Sequence, residues 1–276
     1  YQAYMTQDGE LWIKIINNMY REERIVRDRI QRVLAAITPS NIRKVTVMIE
    51  ADGVLSQGYH FRTEDLYHYR EGSITGYELS ALAPMSNSQY RPSGAETLFK
   101  RKKEVWLFTF RPRLQTFFGS SKGKIKYNVS LIAAPEGYLF DNIYYSAQVG
   151  YSIRSSMQHL GHVDKINPSH LPNVRTDTIK YYQSNTFSLE LAYLQKSWHL
   201  GRGFFYRLAA GYFEPAYGGG ATELLYYSAH ANWAIGIEEA TLWKRRYKGL
   251  GFTDKIRIDR GHIVHHQHFL GIQYFL

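Results

Sequence analysis

Beyond residue 104 the chain alternates apolar and polar residues in one long stretch after another, and a period of two marks a β-strand whose faces meet different surroundings. Over 104–117, Trp106, Phe108, Phe110 and Leu114 oppose Thr109, Arg111, Arg113 and Gln115. Over 124–134, Ile125, Tyr127, Val129, Leu131 and Ala133 oppose Lys124, Lys126, Asn128 and Ser130. Over 143–154, Ile143, Tyr145, Ala147, Val149, Tyr151 and Ile153 oppose Tyr144, Ser146, Gln148, Ser152 and Arg154. Over 186–196, Phe187, Leu189, Leu191 and Tyr193 oppose Ser188, Glu190 and Lys196. Three segments share 203–244: Phe204, Tyr206, Leu208, Ala210 and Tyr212 against Arg207; Thr222, Leu224 and Tyr226 against Glu223; Trp233, Ile235 and Ile237 against Glu238. A last strand over 262–276 puts Leu270, Ile272, Tyr274 and Leu276 on one side. About eight strands of ten or more residues result, long for a soluble sheet and matched to a tilted transmembrane strand.

Residues 1–90 read differently. ELWIKII (10–16) is a strand, and Val26, Ile30, Val33, Leu34 and Ile37 recur at helical spacing over 22–37 until TPSN (38–41) stops the helix. KVTVMIE (44–50) and VLSQGYHFR (54–62) flank the turn pair Asp52-Gly53, and Thr63 is placed to cap a short helix. The reading is a small α+β module (1–90), a polar linker (91–103) with a basic cluster at 100–103, and a β segment (104–276).

Connection lengths add an independent signal. The links at GSSKG (119–123), PEG (135–137), HLGRG (199–203), EPAYGGG (214–220) and SAHAN (228–232) are short, whereas those over 157–180 and 245–255 are long. If the first strand starts on the periplasmic side, PEG, HLGRG and SAHAN are periplasmic and both long links external, the arrangement of outer-membrane barrels. The expected fold class is mostly β, a transmembrane antiparallel β-barrel of about eight strands, part of a larger barrel, preceded by the periplasmic α+β module. A soluble β-sandwich or lipocalin-like barrel would alternate equally well, with the apolar face inward. Against it stand strand length and the mixed charges on the polar face. Glu239 falls by parity on the lipid side, at the interface or a bulge.

Composition sharpens this picture. No run of eighteen apolar residues and no signal peptide is present, and a first residue of Tyr is expected of a fragment or processed chain. Aromatic residues reach 15%, with 23 Tyr, as suits surfaces apolar on one side and wet on the other. The absence of Cys excludes disulfides and thiolate chemistry. Lys and Arg exceed Asp and Glu by 34 to 24, which suggests an anionic partner, but the charge is scattered rather than gathered in one stripe, so nucleic acid is not expected.

GYFEPAYGGGATELLYY (211–227), WAIGIE (233–238), LPNVRTD (171–177) and RIQRVLAAITPSNIRKVTVMIEADGVL (29–55) together resemble the YjbH/GfcD family of outer-membrane proteins linked to exopolysaccharide and group 4 capsule production. The resemblance covers most of the chain in order. It implies an inter-barrel α/β module followed by the first strands of a second barrel, in a lipoprotein family of the bacterial outer membrane. The implied role is a non-enzymatic accessory in export or surface assembly of polysaccharide, alongside other secretion components. It transfers no catalytic residue.

Candidate chemistry follows from facing. Arg111, Arg113, Lys124, Lys126, Arg154 and Arg207 could offer charge-assisted hydrogen bonds to acidic sugars, with Tyr144 and Tyr227 stacking on sugar faces. The same side chains could instead pair with Glu190, Glu223 and Glu238 and fill the lumen. Those three glutamates are also the candidates for a glycoside hydrolase, which needs two converging carboxylates, and Ser188 with the histidine run could be drawn as a lipase-type site without diagnostic spacing. GHIVHHQH (261–268) sets His262, His266 and His268 on one face and His265 on the other, a spacing open to zinc or copper but without a carboxylate partner, so no metal is expected. GGG (218–220) lacks the strand-to-helix setting of a phosphate loop and reads as a turn, and no cofactor is expected. An outer-membrane enzyme acting on polysaccharide or lipid, or a porin-like channel, remains the alternative.

Overall fold

The computed structural model describes residues 1–17, 19–20, 22–88, 90–103, 106–120, 123–140, 142–157, 179–183, 186–227, 233–253, 256–257, 263–264 and 267–275, with side chains up to residue 253 save 119, 120, 123 and 124. Two sheets organise it.

The first sheet is built from β1 (Gln2–Met5), β2 (Glu10–Ile16), β3 (Lys44–Ala51), β4 (Val54–Arg62), β5 (Ser86–Asn87) and β6 (Glu96–Lys100), in the order β5-β4-β3-β2-β1-β6. Helix α1 (Glu23–Ile37) crosses over between β2 and β3, which pair in parallel as such a crossover requires. Its Val26 and Leu34 join Val45, Val47, Tyr59 and Phe61 in the core, beneath α2 (Thr63–Arg70) and α3 (Gly76–Leu82). Val33 and Ile37, expected on the apolar face of α1, are exposed, and Gln31 is buried instead, bonded to Ser80 Oγ at 3.0 Å. Thr63 is the first residue of α2 rather than its cap, and makes no side-chain cap bond there. The capping box lies at α3, where Thr75 and Glu78 exchange hydrogen bonds. Residues 96–100, within the stretch expected as a polar linker, form β6 on the outer edge of this sheet.

The second sheet has nine strands: β7 (Leu107–Ser120), β8 (Gly123–Leu139), β9 (Ile143–Ser155), β10 (Phe187–Gly201), β11 (Phe204–Tyr212), β12 (Tyr217–Tyr227), β13 (Ala234–Arg245), the short β14 (Phe252–Thr253) and, after a detached pair β15 (Ile256–Arg257) and β16 (Ile263–Val264), β17 (Gln267–Phe275). Helix α4 (Lys180–Gln183) lies in the long link before β10. Successive strands pair antiparallel from β7 to β13, and both β14 and β17 pair with β13. Among the described residues no strand joins β17 to β7, so the sheet is open and closure into a barrel is not seen.

Local chemistry moves three features from their expected places. Pro135, Glu136 and Gly137 continue β8 in register with β7 and β9, and the strand runs on to Leu139 before the chain turns at Phe140 and Asn142. Gly218, Gly219 and Gly220 are strand, not turn: a Cβ on Gly219 would stand 2.1 Å from the Thr241 carbonyl oxygen, so the glycines let β12 and β13 approach where side chains cannot fit. In β10 the register shifts at Glu190, so Leu191 and Tyr193 pair with the inward Gln148 and Ser146, while Ala192, Leu194 and Lys196 turn outward. The simple alternation read through this strand fails at that bulge. At Glu239 there is no bulge: β12 and β13 pair without interruption and set it opposite Thr222 on the outer face.

The hairpin tip of β3 and β4 brings the sheets together. Asp52 and Gly53 both have positive φ (48° and 81°), as the tightest hairpins demand. Asp52 accepts hydrogen bonds from Gln195 Nε2 (2.8 and 2.9 Å) and Ser197 Oγ on β10, and Tyr227 Oη donates to Gln57 Oε1 at 2.8 Å. One residue before the tip strand ends, buried Glu50 takes Lys14 and Lys103, the latter at 2.6 Å, and Lys103 also lies 4.4 Å from the Tyr138 ring of β8. Burial opposes ionisation of Glu50, but the hydrogen bonds from Lys103 and Lys14 prevail and hold its carboxyl below the ordinary range. A depressed folded pKa contributes stability that is complete above the unfolded value and is lost as pH falls through the folded one. Glu50→Gln strands two half-buried lysines and is expected to cost about 3 kcal/mol. Hydrogen exchange at the amides of 45–50 checks this: the variant exchanges faster at neutral pH, and the difference from the native chain shrinks below about pH 4.

Candidate functional site

The pairing register of β7 to β13 defines two faces of opposite character. The outer face carries Phe110, Leu114, Ile153, Phe187, Ile235 and Ile237, all exposed, with Leu114 at 66%. The inner face buries polar groups: Lys126, Asn128, Ser130, Ser146, Ser188 and Glu190 all lie at 9% exposure or less. A water-soluble sheet has the reverse arrangement.

The inner face is occupied at both ends. At the end where β9 begins and β10 ends, the first sheet docks through Asp52 and Gln57 as described, and Ser88 shares a hydrogen bond with His199 Nδ1 at 2.9 Å. At the other end α4 folds inward. Tyr181 Oη donates to the Arg245 carbonyl (2.6 Å) and packs with Ala216, Tyr217 and Leu242, while Tyr182 packs with Met157, Ile179 and Phe117.

Between these ends the charges form two groups. Arg113 bonds Glu190 through both terminal nitrogens (2.6 and 2.7 Å), and Glu190 also accepts from Tyr182 Oη (2.8 Å) and Ser188 Oγ (2.6 Å). Ser188 and Glu190, two residues apart, share the inner face by simple alternation, and the bulge that follows brings Leu191 and Tyr193 to that face as well. Farther along, Glu223 and Glu238 sit directly opposite one another across β12 and β13, an arrangement that repels unless compensated. Arg207 compensates it at 2.5 Å from Glu223 and 3.7 Å from Glu238.

Of the candidate residues, the structure thus groups Arg113 with Glu190 and Arg207 with Glu223 and Glu238. The others stand apart. Arg111 is exposed and donates to Gln148 Oε1 at 3.3 Å, Lys126 is buried on β8, and Arg154, expected on the polar face, is exposed near the end of β9, where a register shift after Ser152 pairs it with the outward Val129. Tyr144 donates to Glu136 Oε2 at 2.8 Å and lies 5.4 and 6.2 Å from the rings of Tyr138 and Tyr193. The Lys124 side chain, and His262, His265 and His266, lie outside the described residues, and His268 is placed only by its register opposite Thr241 on β13. Among the described residues no three metal-ligating side chains converge.

A model of the YjbH family, described as exopolysaccharide biosynthesis protein YbjH, matches residues 1–274. The chain belongs to this family. It is similar to the uncharacterized lipoprotein YjbH of Escherichia coli (strain K12), with 23% identity over 251 residues, covering 89% of this chain and 35% of that relative. The chain therefore spans about a third of the length of the curated relative it matches. No solved structure matches.

For this YjbH-family chain, sequence reasoning missed Asp52, Gln195, Ser197, Tyr182 and Tyr193 at the inner face. The Asp-Gly pair signalled a hairpin tip, but nothing local says where a tip docks. Tyr193 was assigned outward because a bulge has no reliable sequence mark. The two ionic groups differ in burial, which gives a measurable contrast. A double-mutant cycle of Arg113→Ala with Glu190→Gln, read by urea unfolding in detergent micelles, is expected to return a coupling of about 2–3 kcal/mol. The corresponding cycle for Arg207 and Glu223, where the arginine is 36% exposed, is expected near 1 kcal/mol.

Proposed function

We propose that the second sheet is part of the wall of an outer-membrane β-barrel and that the protein serves export or surface assembly of exopolysaccharide as a non-enzymatic accessory. One observation carries the reading: the outer face is an aliphatic band between two aromatic girdles. Trp106, Trp198, Phe204, Tyr226 and Trp233 lie at the end of the short turns, with rings of Phe204 and Tyr226 at 4.8 Å and of Tyr226 and Trp233 at 5.5 Å. Phe118, Tyr151, Phe187, Tyr212 and Trp243 lie at the other end, with Tyr151 and Phe187 at 5.1 Å. Leu131, Val149, Leu189, Leu194, Leu208 and Leu224 lie between. From Trp233 to Trp243, or Phe187 to Trp198, the strand covers about 33–36 Å at about 3.3 Å per residue, which a tilt of about 40° turns into roughly 25–28 Å across a bilayer.

Two charged outward side chains fit this frame differently. Lys196 lies 5.3 Å from the Trp198 ring within the girdle, where a long cationic side chain can reach water. Glu239 lies inside the band. An open sheet edge leaves backbone groups unpaired in hydrocarbon, so this reading requires further strands to close the wall. The end carrying the first sheet faces the periplasm, and the inner polar face lines the interior through which polymer, or the machinery that handles it, is served.

The family supports the polysaccharide role, and the ionic groups give no support to a hydrolase: Glu223 and Glu238 are both engaged by one arginine rather than set across a cleft from one another. Val149→Arg places a cation at mid-band and is expected to cost about 2–4 kcal/mol of membrane stability. In a strain lacking the native gene, it should leave little heat-modifiable protein in the outer membrane and reduce surface polymer several-fold, while Val149→Leu restores both. Normal assembly and polymer with Val149→Arg would contradict the reading.

A further inference from the structure

Two cavities lie against the inner face, one on each side of Arg207. The first, about 550 Å³, is a half-open cleft between the β3–β4 hairpin and β10 to β12, lined by Asp52, Gln57, Ser197, Phe205, Glu223 and Tyr227 among others. The second, about 560 Å³, extends toward α4 and includes Tyr193, Phe213, Tyr217 and Glu238. Gln195 and Arg207 line both, so the Arg207–Glu223 pair stands at their junction. Each volume lies within the range of small-molecule sites, about 300–1,000 Å³.

The linings have the chemistry of sugar recognition. Aromatic rings stand on both sides of the junction, Phe205 and Tyr227 in one cavity and Tyr193 with Phe213, 5.8 Å apart, in the other. Amide, hydroxyl and carboxylate groups are interspersed among them, and carboxylates accept hydrogen bonds from neighbouring hydroxyls with charge assistance. The charge balance then decides which sugar. Asp52, Glu223 and Glu238 line the cavities with Arg207, whose guanidinium is already held by Glu223 and Glu238, and the Asp52 carboxylate is held by the neutral donors Gln195 and Ser197. Glu50 at the edge of the first cavity is matched by Lys14 and Lys103. A uronate would bring a further negative charge into a lining where carboxylates outnumber the guanidinium.

We infer that these paired cavities bind an uncharged oligosaccharide segment, threaded past the Arg207–Glu223 junction, and that they select against acidic sugars. The basic candidates Arg111 and Arg154, exposed on β7 and β9, lie outside both linings. The inference rests on the polysaccharide role proposed above and narrows it to a ligand class.

The test uses the full-length protein in detergent micelles on an array of hexasaccharides composed of neutral hexoses or of hexuronates. Binding is expected to neutral members, with at least a tenfold preference over uronates, and to weaken about tenfold in Phe213→Ala. The double variant Glu223→Gln, Glu238→Gln leaves Arg207 uncompensated and is expected to shift the preference toward uronates. Heat-modifiable migration of each variant shows that it has assembled. Equal or tighter binding of uronates by the native protein, or no binding to any member, overturns the inference. If that happens while deletion of the gene still abolishes surface polymer, the export role stands and only the ligand assignment fails. If deletion leaves polymer unchanged, the export role itself fails.

Discussion

A sheet must hide whatever its surroundings reject, and in this protein the two faces of the second sheet place opposite demands on the rest of the chain. The outer face exposes aliphatic and aromatic side chains from β7 to β13, while the inner face buries lysine, asparagine, serine and glutamate. In water the first would be costly over so large a contiguous area, and the second would be pointless. In a bilayer the relation is reversed: lipid covers the apolar face, and the polar face must find partners within the protein. On the proposed membrane reading, the first sheet, α4 and the two ionic groups supply those partners.

The inner partners are of graded strength. Arg113 and Glu190 lie deep, doubly bonded and supported by Tyr182 and Ser188, so breaking one leaves a buried charge. Arg207 is half-open to two cavities, and its pairing with Glu223 and Glu238 is of the kind that exchange with a ligand or solvent can challenge. The two ionic groups are therefore distinguished by burial rather than by residue type. The hairpin tip at Asp52 bounds the first cavity from one side, tied to the sheet by neutral donors and to its own module by the Glu50 lysine pair.

Much of this was legible in the sequence. Regular alternation marks each long strand because only the face changes from one residue to the next, and Phe108, Leu208 and Ile235 were placed outward correctly. The crossover helix showed through the spacing of Val26, Ile30 and Leu34. What escaped has physical causes. A bulge at Glu190 reverses parity without changing composition. Glycine serves both turns and close strand approach, so Gly218–220 looked like the former and proved to be the latter. Contacts between Asp52 and Ser197 join residues far apart in the chain through neutral polar groups, and no local pattern encodes them. Facing identified Arg113, Glu190, Arg207, Glu223 and Glu238 on the inner side but misplaced Lys196 and Arg154 beyond the bulges, and it could not say which residues meet.

Side-specific exposure of one strand decides whether the apolar face meets lipid. The chain has no cysteine, so single cysteines at 205–210 on β11 can each carry a nitroxide without interference. In native-like outer-membrane vesicles, positions 206, 208 and 210 should be readily relaxed by oxygen and shielded from a water-soluble nickel complex, with 205, 207 and 209 showing the opposite balance. If 206, 208 and 210 are instead as accessible to the nickel complex as a label at the exposed Tyr77 of the first sheet, the outer face meets water and the membrane account is wrong.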